Sequence, residues 1–152
     1  MIRIIYKILF TLLIFSSFLG FSQQKESDSA LFEQTLALIK RSTYLDSANV
    51  FTAIKKIEPL LQNNAWRKAL LWNRLGNFYF YSGNSNKATE NYNNSQIIAL
   101  SIEDNSIYYS SEIKKAILSQ QVNSKAAEEK LVTILDKINQ STDYENIILC
   151  YY

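Results

Sequence analysis

The chain has 152 residues, of which 47% are hydrophobic and 13% aromatic, and its formal net charge is +2 at pH 7. This apolar content predicts a folded core and argues against disorder, while three glycines and one proline are too few for a turn-rich sandwich or barrel. Histidine is absent and Cys150 is the only cysteine, which excludes an internal disulfide and a thiolate metal cage. The composition therefore favours one all-helical domain that binds no metal and no cofactor.

Residues 1–22 have the composition of a signal peptide. Arg3 and Lys7 precede an uncharged apolar run from Ile8 to Phe21. As a helix, this run reaches about 21 Å at 1.5 Å per residue, which is short of the roughly 30 Å hydrocarbon core of a membrane. The pattern therefore predicts a cleaved export signal in preference to a membrane span.

Small residues mark a cleavage point, since Gly20 and Ser22 stand three positions and one position before a cut ahead of Gln23. We expect cleavage after Ser22 and export of the mature chain, residues 23–152, to the periplasm. The alternative is an uncleaved anchor in which residues 8–22 hold the protein in the inner membrane.

Cleavage also changes the charge balance. It removes two of the 16 basic residues and leaves them equal in number to the 14 acidic residues. A neutral chain has no excess of positive charge to displace counterions from a phosphate backbone. The sequence therefore predicts no nucleic-acid partner for this segment.

After the signal, apolar residues recur at three- and four-residue spacing between short polar breaks, which predicts helices. Asp46, Ser85 or Asn86, Asp104 or Asn105, and Ser124 precede apolar positions and are expected to cap helix starts. The aromatic stretch "NFYFYSG" has high strand propensity, but it continues the helical spacing before it, so we expect a helix there. The predicted helices lie within residues 27–45, 46–62, 63–83, 84–101, 103–121, 123–139 and 143–152.

The helices are expected to repeat in pairs. Ala48, Ala88 and Ala127 each lie near the start of a predicted helix, and they are separated by 40 and 39 residues. An irregular bundle, in which these small residues coincide by chance, is the alternative. The predicted units span residues 28–62, 65–101 and 104–140, with the start of a further unit at 144–152.

The stretch from Trp72 to Ser95 carries a more specific pattern and resembles the tetratricopeptide repeat. The residues that carry the resemblance are Trp72, Leu75, Gly76, Tyr79, Gly83, Ala88 and Tyr92. The resemblance implies that antiparallel helix pairs stack as a short right-handed α-solenoid. It also implies that Gly76 and Ala88 allow a close helix crossing, that Gly83 permits the turn, and that the larger side chains fill the surrounding space.

Export and the 40-residue units also resemble the sensory regions of Bacteroidetes-type tetratricopeptide signalling proteins. In those proteins, such arrays commonly precede a membrane helix and a kinase or DNA-binding module. The nearly all-apolar residues 147–152 would suit the interior of a longer array. We therefore expect a fragment or a truncated reading frame of a larger signalling protein.

No catalytic pattern is found in the sequence. It contains no glycine-rich phosphate loop, no activated-serine motif and no metal-ligand spacing. Its acidic residues suit solvated helix faces better than a general acid and base. The carboxylates considered are Glu58, Glu90, Glu103, Asp104, Glu128 and Glu129. We expect the protein not to be an enzyme.

The resemblance implies a binding surface, because the first helix of each repeat lines a concave groove that can hold a peptide or a partner helix. Asn73 and Asn77 lie four residues apart, and their amides could bond a peptide backbone or a terminal carboxylate, or could simply be solvated. Charge is expected to contribute little to binding in the groove, because the mature chain is neutral. The groove positions are Leu70, Asn73, Asn77, Phe80 and Tyr81.

Two hypotheses for function follow. The first is an exported protein-interaction scaffold, the sensory or docking part of a larger or truncated signalling protein. The second is a membrane-anchored structural spacer without a specific ligand, in which the N-terminal segment stays uncleaved.

Overall fold

The computed structural model describes residues 24–42, 46–120, 122–138, 146, 147 and 150, and none of these residues forms a strand. The predicted all-helical fold class is confirmed for this part of the chain. The predicted signal peptide, its cleavage point and most of the predicted last helix lie outside the described residues. The helices are residues 24–41 (α1), Ser47–Leu61 (α2), Ala65–Tyr81 (α3), Ser85–Ser101 (α4), Asn105–Ser119 (α5) and Ser124–Ile138 (α6).

Four helices begin with the same capping contact, in which an Asn or Asp side chain accepts a hydrogen bond from the amide three residues later. Asp104 was predicted, but Asn84 and Asn123 act where Ser85 or Asn86 and Ser124 were expected. Asp46 makes no capping hydrogen bond with its side chain. The acceptor and donor pairs are Asn64 with Arg67 at 2.9 Å, Asn84 with Lys87 at 3.1 Å, Asp104 with Ile107 at 2.9 Å, and Asn123 with Ala126 at 3.1 Å.

The turns before α4 and α5 share one backbone conformation. Gly83 and Glu103 occupy equivalent positions and have φ of 74° and 56°, in the left-handed region. Such a residue after a helix lets a later amide bond back to the last turn. That bond is the same in both turns: Asn84 N donates to Tyr79 O at 2.9 Å, and Asp104 N donates to Ala99 O at 2.9 Å.

The described residues form three apolar clusters that follow one another along the chain. The largest joins α1, α2, α3 and α4, a small one joins α3, α4 and α5 around Ala69, and the third joins α5 to α6 around Ile113. Ile147 and Cys150 pack against the third cluster. The buried members of the largest cluster are Phe32, Leu36, Ile39, Val50, Ile57, Leu71, Leu75, Phe78, Tyr79, Ala88 and Tyr92.

Neighbouring helices pack against each other, and the contact between α3 and α4 is the most extensive among α2 to α6. In addition, α3 contacts α5, and Phe32 of α1 contacts Trp66 and Arg67 of α3. Thus α3 lies between α1 and α5. This arrangement brings the three odd-numbered helices to one side of the molecule, where the candidate site is found.

The crossing of α3 and α4 is built from small residues and one tyrosine. Gly76 lies against the ring of the fully buried Tyr92, and Ala88 is also fully buried. Ser95 is buried nearby, and its hydroxyl donates to the carbonyl oxygen of Ala69 at 2.9 Å. The two backbones can approach because neither Gly76 nor Ala88 carries a bulky side chain.

The alignment of Ala48 with Ala88 and Ala127 is wrong. Ala88 and Ala127 are the fourth residues of their helices and are buried, whereas Ala48 is the second residue of α2 and is exposed. Val50, the fourth residue of α2, takes the buried place. The error arises because burial depends on how far a residue lies from the start of its helix. The small size of Ala48 gave no information about that distance.

Within the part of the chain that the structure describes, no helix is both long enough and apolar enough to cross a membrane.

Candidate binding groove

A cavity of about 340 Å³ lies where α1, α3 and α5 come together, and we call it the odd-helix groove. Each of the three helices supplies residues to it, so it exists only because α3 is placed between α1 and α5. Its lining consists of Ile39, Lys40, Ser42, Arg74, Asn77, Phe78, Tyr81, Ser110 and Lys114.

The floor of the odd-helix groove is formed by two buried apolar side chains. Ile39 and Phe78 are buried members of the largest apolar cluster. Tyr81, in contrast, is 76% exposed at the wall. A ligand would therefore meet the ring of Tyr81 and the polar and basic side chains around it, while the floor gives the cavity a rigid base.

The lining carries positive charge without compensation. Among the residues that the structure describes, it includes Lys40, Arg74 and Lys114 but no carboxylate. The ammonium of Lys114 lies 5.5 Å from the ring centre of Phe80 and 5.8 Å from that of Tyr81, close enough for cation–π attraction. None of the three basic residues forms an ion pair with another described residue, so the groove presents a local excess of cations.

Asn73, which was predicted to face the groove, is only 2% exposed. Its amide nitrogen donates to the hydroxyl of Ser111 at 2.9 Å and to that of Ser110 at 3.3 Å. The expectation that Asn73 is an exposed residue is therefore wrong. Its side chain is used to join α3 to α5, beneath the surface that a ligand would touch.

Asn77 does line the odd-helix groove, and one end of its amide is already used. The hydroxyl of Tyr92 donates to Asn77 Oδ1 at 2.8 Å. Burial raises the pKa of Tyr92, which keeps its hydroxyl protonated as a donor. The amide nitrogen of Asn77 has no partner among the residues described, so it can donate to a ligand.

The other predicted groove residues divide between the surface and the interior. Tyr81 lines the groove, whereas Leu70 is half-buried between two apolar clusters and Phe80 packs against the largest one. The groove thus brings together Asn77 and Tyr81 but not Leu70, Asn73 or Phe80.

The basic residues of the groove were missed by sequence reasoning. A signal for two of them was present, because Arg74 and Lys114 are 40 residues apart, one repeat of the predicted spacing. Balancing charge over the whole of the predicted mature chain concealed this local pattern. The position of Lys40 depends on how α1 packs against α3, and no spacing revealed it.

A second cavity, of about 470 Å³, lies between α2 and α3. Trp72 is half-buried at its edge instead of being enclosed at the helix crossing. The lining of this cavity combines apolar side chains with two lysines and one carboxylate. The lining residues are Phe51, Ile54, Lys55, Glu58, Leu61, Gln62, Lys68, Leu71, Trp72 and Leu75.

Comparison of the chain with protein-family models, with curated proteins and with solved structures found no match in any of the three. No group of three or more His, Cys, Asp or Glu side chains that could hold a metal ion occurs among the residues described.

Proposed function

We propose that this chain is an exported helical-repeat scaffold of the tetratricopeptide type, and that it holds a segment of a partner protein in the odd-helix groove. Its role is binding, with no catalytic residue and no cofactor. In this proposal the helix pairs stack as a short right-handed solenoid, and the chain is the docking or sensory part of a larger signalling protein.

The repeat part of the proposal is supported by the regular helix starts. The capping residues Asn64, Asn84, Asp104 and Asn123 are spaced by 20, 20 and 19 residues. Helices of similar length joined by short turns place alternate helices side by side, which is how helix-pair repeats form a continuous surface. The contact of α3 with α5 agrees with this arrangement.

The observation that carries the binding function is the odd-helix groove itself. It combines an exposed aromatic ring at Tyr81, an amide donor at Asn77 and a rigid apolar floor. Aromatic burial with a few directed hydrogen bonds is the usual basis for holding a short protein segment in a helical groove.

A display selection tests this function. The purified protein is used as bait for a random twelve-residue peptide library, and enriched peptides are resynthesised and titrated by fluorescence anisotropy. We expect Tyr81→Ala to weaken binding roughly tenfold, because it removes the aromatic wall. The control is Ile97→Ala, which shortens a 67% exposed apolar side chain on α4 away from the groove.

The opposite result has a clear meaning. If no enriched peptide loses affinity on Tyr81→Ala, the groove is not a binding site and the structural spacer becomes the better proposal.

Export is tested separately at the N-terminus. Protein recovered from the producing cell should begin at Gln23 and should remain soluble after the cells are fractionated. Intact protein beginning at Met1 in the membrane fraction would favour the anchored spacer instead.

A further inference from the structure

We propose that the second cavity, between α2 and α3, binds a small monocarboxylate with an apolar tail, such as a medium-chain fatty acid. The second cavity shares no lining residue with the odd-helix groove, so this site is independent of the groove and of its peptide ligand. The size of the cavity, its apolar interior and the charge at its rim together select this class of ligand.

The second cavity has the size of a small-molecule site. Its volume of about 470 Å³ has room for roughly 15 non-hydrogen atoms, if each takes about 30 Å³ as a water molecule does. A three-turn helix with its side chains occupies on the order of 1,000 Å³ and would have to force the two helices apart. They are joined by a short connection, since α2 ends at Leu61 and α3 begins at Ala65. A small molecule therefore fits where a partner helix does not.

The interior of the second cavity is apolar. Leu71 and Leu75 are buried at its floor, Ile54 and Trp72 are half-buried at its walls, and Phe51 is exposed at its edge. An alkyl tail that covers these side chains removes apolar surface from water on both partners, which favours binding. The main part of the ligand should therefore be apolar.

The rim of the second cavity carries one positive charge in excess. Lys55 and Glu58 of α2 and Lys68 of α3 are exposed there, and none of them forms an ion pair with another described residue. One carboxylate on the ligand would balance the two ammonium groups and the single carboxylate of the rim. A ligand ammonium would instead meet two lysines and only one glutamate, so charge complementarity favours a monoanion.

The order of the lining residues along the helices gives the ligand a direction. Because α2 runs towards the short connection and α3 runs away from it, Gln62 and Lys68 lie near the connection, whereas Phe51 and Leu75 lie at the opposite end. The amide of Gln62 and the ammonium of Lys68 can both donate to a carboxylate. The head group should therefore lie near the connection, with the tail extended along the helices.

Trp72 provides a direct test, because it borders the second cavity and its fluorescence depends on its surroundings. The chain has two tryptophans, so Trp66→Phe leaves Trp72 as the only one. Decanoate, titrated below its micelle concentration, should shift the Trp72 emission to shorter wavelength in a saturable way. Decanol and decylamine have the same tail, and each should bind at least roughly threefold more weakly than decanoate.

Filling the second cavity should abolish most of this binding. In the Trp66→Phe background, Ile54→Phe should weaken decanoate roughly tenfold, because the larger side chain takes the space of the tail. Val132→Phe is the matched control, since it enlarges an exposed apolar side chain of α6 outside the cavity. Circular dichroism and urea midpoints show whether each variant is folded.

Charge changes at the rim keep the test valid if Ile54→Phe does not fold, because they affect exposed side chains only. Lys68→Gln should weaken decanoate roughly threefold, and Glu58→Gln should strengthen it by a similar factor. Lys56→Gln is the control, since it removes an exposed charge of α2 outside the lining. None of these changes should alter the affinity for decanol.

Amide hydrogen exchange locates the site in the protein that keeps both tryptophans. Saturating decanoate should slow exchange in α2 more than in α6, because a ligand between α2 and α3 opposes their separation. Equal slowing in both helices would contradict a site at the second cavity.

The remaining outcomes are distinct from those of the peptide selection. Decanol that binds as tightly as decanoate would overturn the carboxylate, and the absence of a saturable Trp72 shift would overturn the site itself. Tyr81→Ala should leave the affinity for decanoate unchanged, and a loss in that variant would place the ligand in the odd-helix groove instead. A failed peptide selection would contradict the groove function without affecting any of these measurements.

Discussion

Tyr92 shows how one side chain determines the geometry between two helices. Its ring fills the space in front of Gly76, and its hydroxyl donates to the next residue of α3, Asn77, which lines the odd-helix groove. The ring is fully buried, so it has little room to move. Through this contact the packing between α3 and α4 also orients an amide that lines the odd-helix groove.

Replacing Gly76 with alanine should be destabilising. The added Cβ would lie 2.5 Å from Tyr92 Cδ1, and it would lie closer still to Cε1. We expect the free energy of unfolding to fall by about 1 to 3 kcal/mol, although alanine favours a helix over glycine by about 1 kcal/mol. Urea titration measures this change.

A double-mutant cycle checks the cause of the Gly76→Ala effect. Combining it with Tyr92→Leu should cost less than the sum of the two single changes, because the ring that causes the clash is gone. Strict additivity would mean that the contact with Tyr92 is not the reason.

Glu103 offers a stabilising substitution, because it holds a left-handed conformation that Gly83 holds in the previous turn. We expect Glu103→Gly to raise the free energy of unfolding by about 0.5 to 1 kcal/mol. Gly83→Ala should lower it by about 1 kcal/mol, although a Cβ there meets no atom within 4 Å. Thermal and urea unfolding measure both, and Glu103→Ala is the control, since it removes the charge without relieving the backbone.

We expect Asn73 to contribute to the stability of the fold more than to ligand binding. Asn73→Ala removes the donor to Ser110 and Ser111 and leaves a small cavity between α3 and α5, so it should cost about 1 to 3 kcal/mol. Asn93→Ala, at an exposed position of α4, should change stability by no more than about 0.5 kcal/mol. Equal effects in urea would contradict the buried role of Asn73.

At the scale of helices, Glu112 of α5 ties its two neighbours together. Its carboxylate accepts from Gln96 of α4 and pairs with Lys130 of α6 at 3.0 Å and with Lys115 of its own helix at 3.3 Å. Lys115 also donates to Gln96 Oε1 at 2.7 Å. Desolvation by burial raises the pKa of Glu112, but the hydrogen bonds from Gln96 and Lys130 and the charges of both lysines outweigh it and lower the pKa.

This network makes stability depend on pH with a definite sign. A lowered folded pKa means that ionised Glu112 stabilises the fold fully above its ordinary value of 4.5 and loses this contribution as the pH falls through the folded value. We expect Glu112→Gln to cost about 1 kcal/mol near neutral pH, a figure limited by partial exposure. Urea titrations from about pH 7 to about pH 3 should show the difference from wild type disappear.

The pH dependence of the Glu112→Gln effect distinguishes charge from packing as the link between these helices. If the cost of Glu112→Gln stayed constant across the acidic range, packing and not charge would link α4, α5 and α6. Glu128→Gln, at an exposed position of α6, is the control and should show no comparable dependence on pH.

At the scale of the whole molecule, packing is uneven along the chain. Among α2 to α6, the contact between α3 and α4 is the most extensive, whereas α2 contacts α3 sparsely and the second cavity lies between them. Elements with few contacts open at lower free energy than the global transition. We expect amide hydrogen exchange to be slowest in α3 and α4 and faster in α2, as measured by mass spectrometry. Equal protection in α2, α3 and α4 would contradict this ordering.

Much of the helical organisation could be predicted from local patterns. The apolar spacing located α2 to α6 to within a few residues, because such periodicity is a property of each segment alone. The caps were less well predicted, since Asn84 and Asn123 compete with neighbouring polar residues and only the position of the first amides decides between them. The burial of Val50 was missed for a related reason, because it depends on where α2 begins.

The candidate site was only partly predictable, because it depends on which helices become neighbours. The spacing within α3 identified Asn77 and Tyr81, but it could not show that Asn73 is covered by α5. It also could not show that Lys40 joins Arg74 and Lys114, since these residues meet only when α1 and α5 lie on either side of α3.

By itself, the sequence determined the helical class, the positions of the helices and the close helix crossing at Gly76 and Ala88. These features depend on propensity and on contacts between adjacent segments. The tertiary structure alone decided which asparagine is buried, and it brought three basic residues into one groove. Charge and burial are properties of a surface assembled from distant parts of the chain, so a sequence with a net charge of only +2 can still present a positively charged groove.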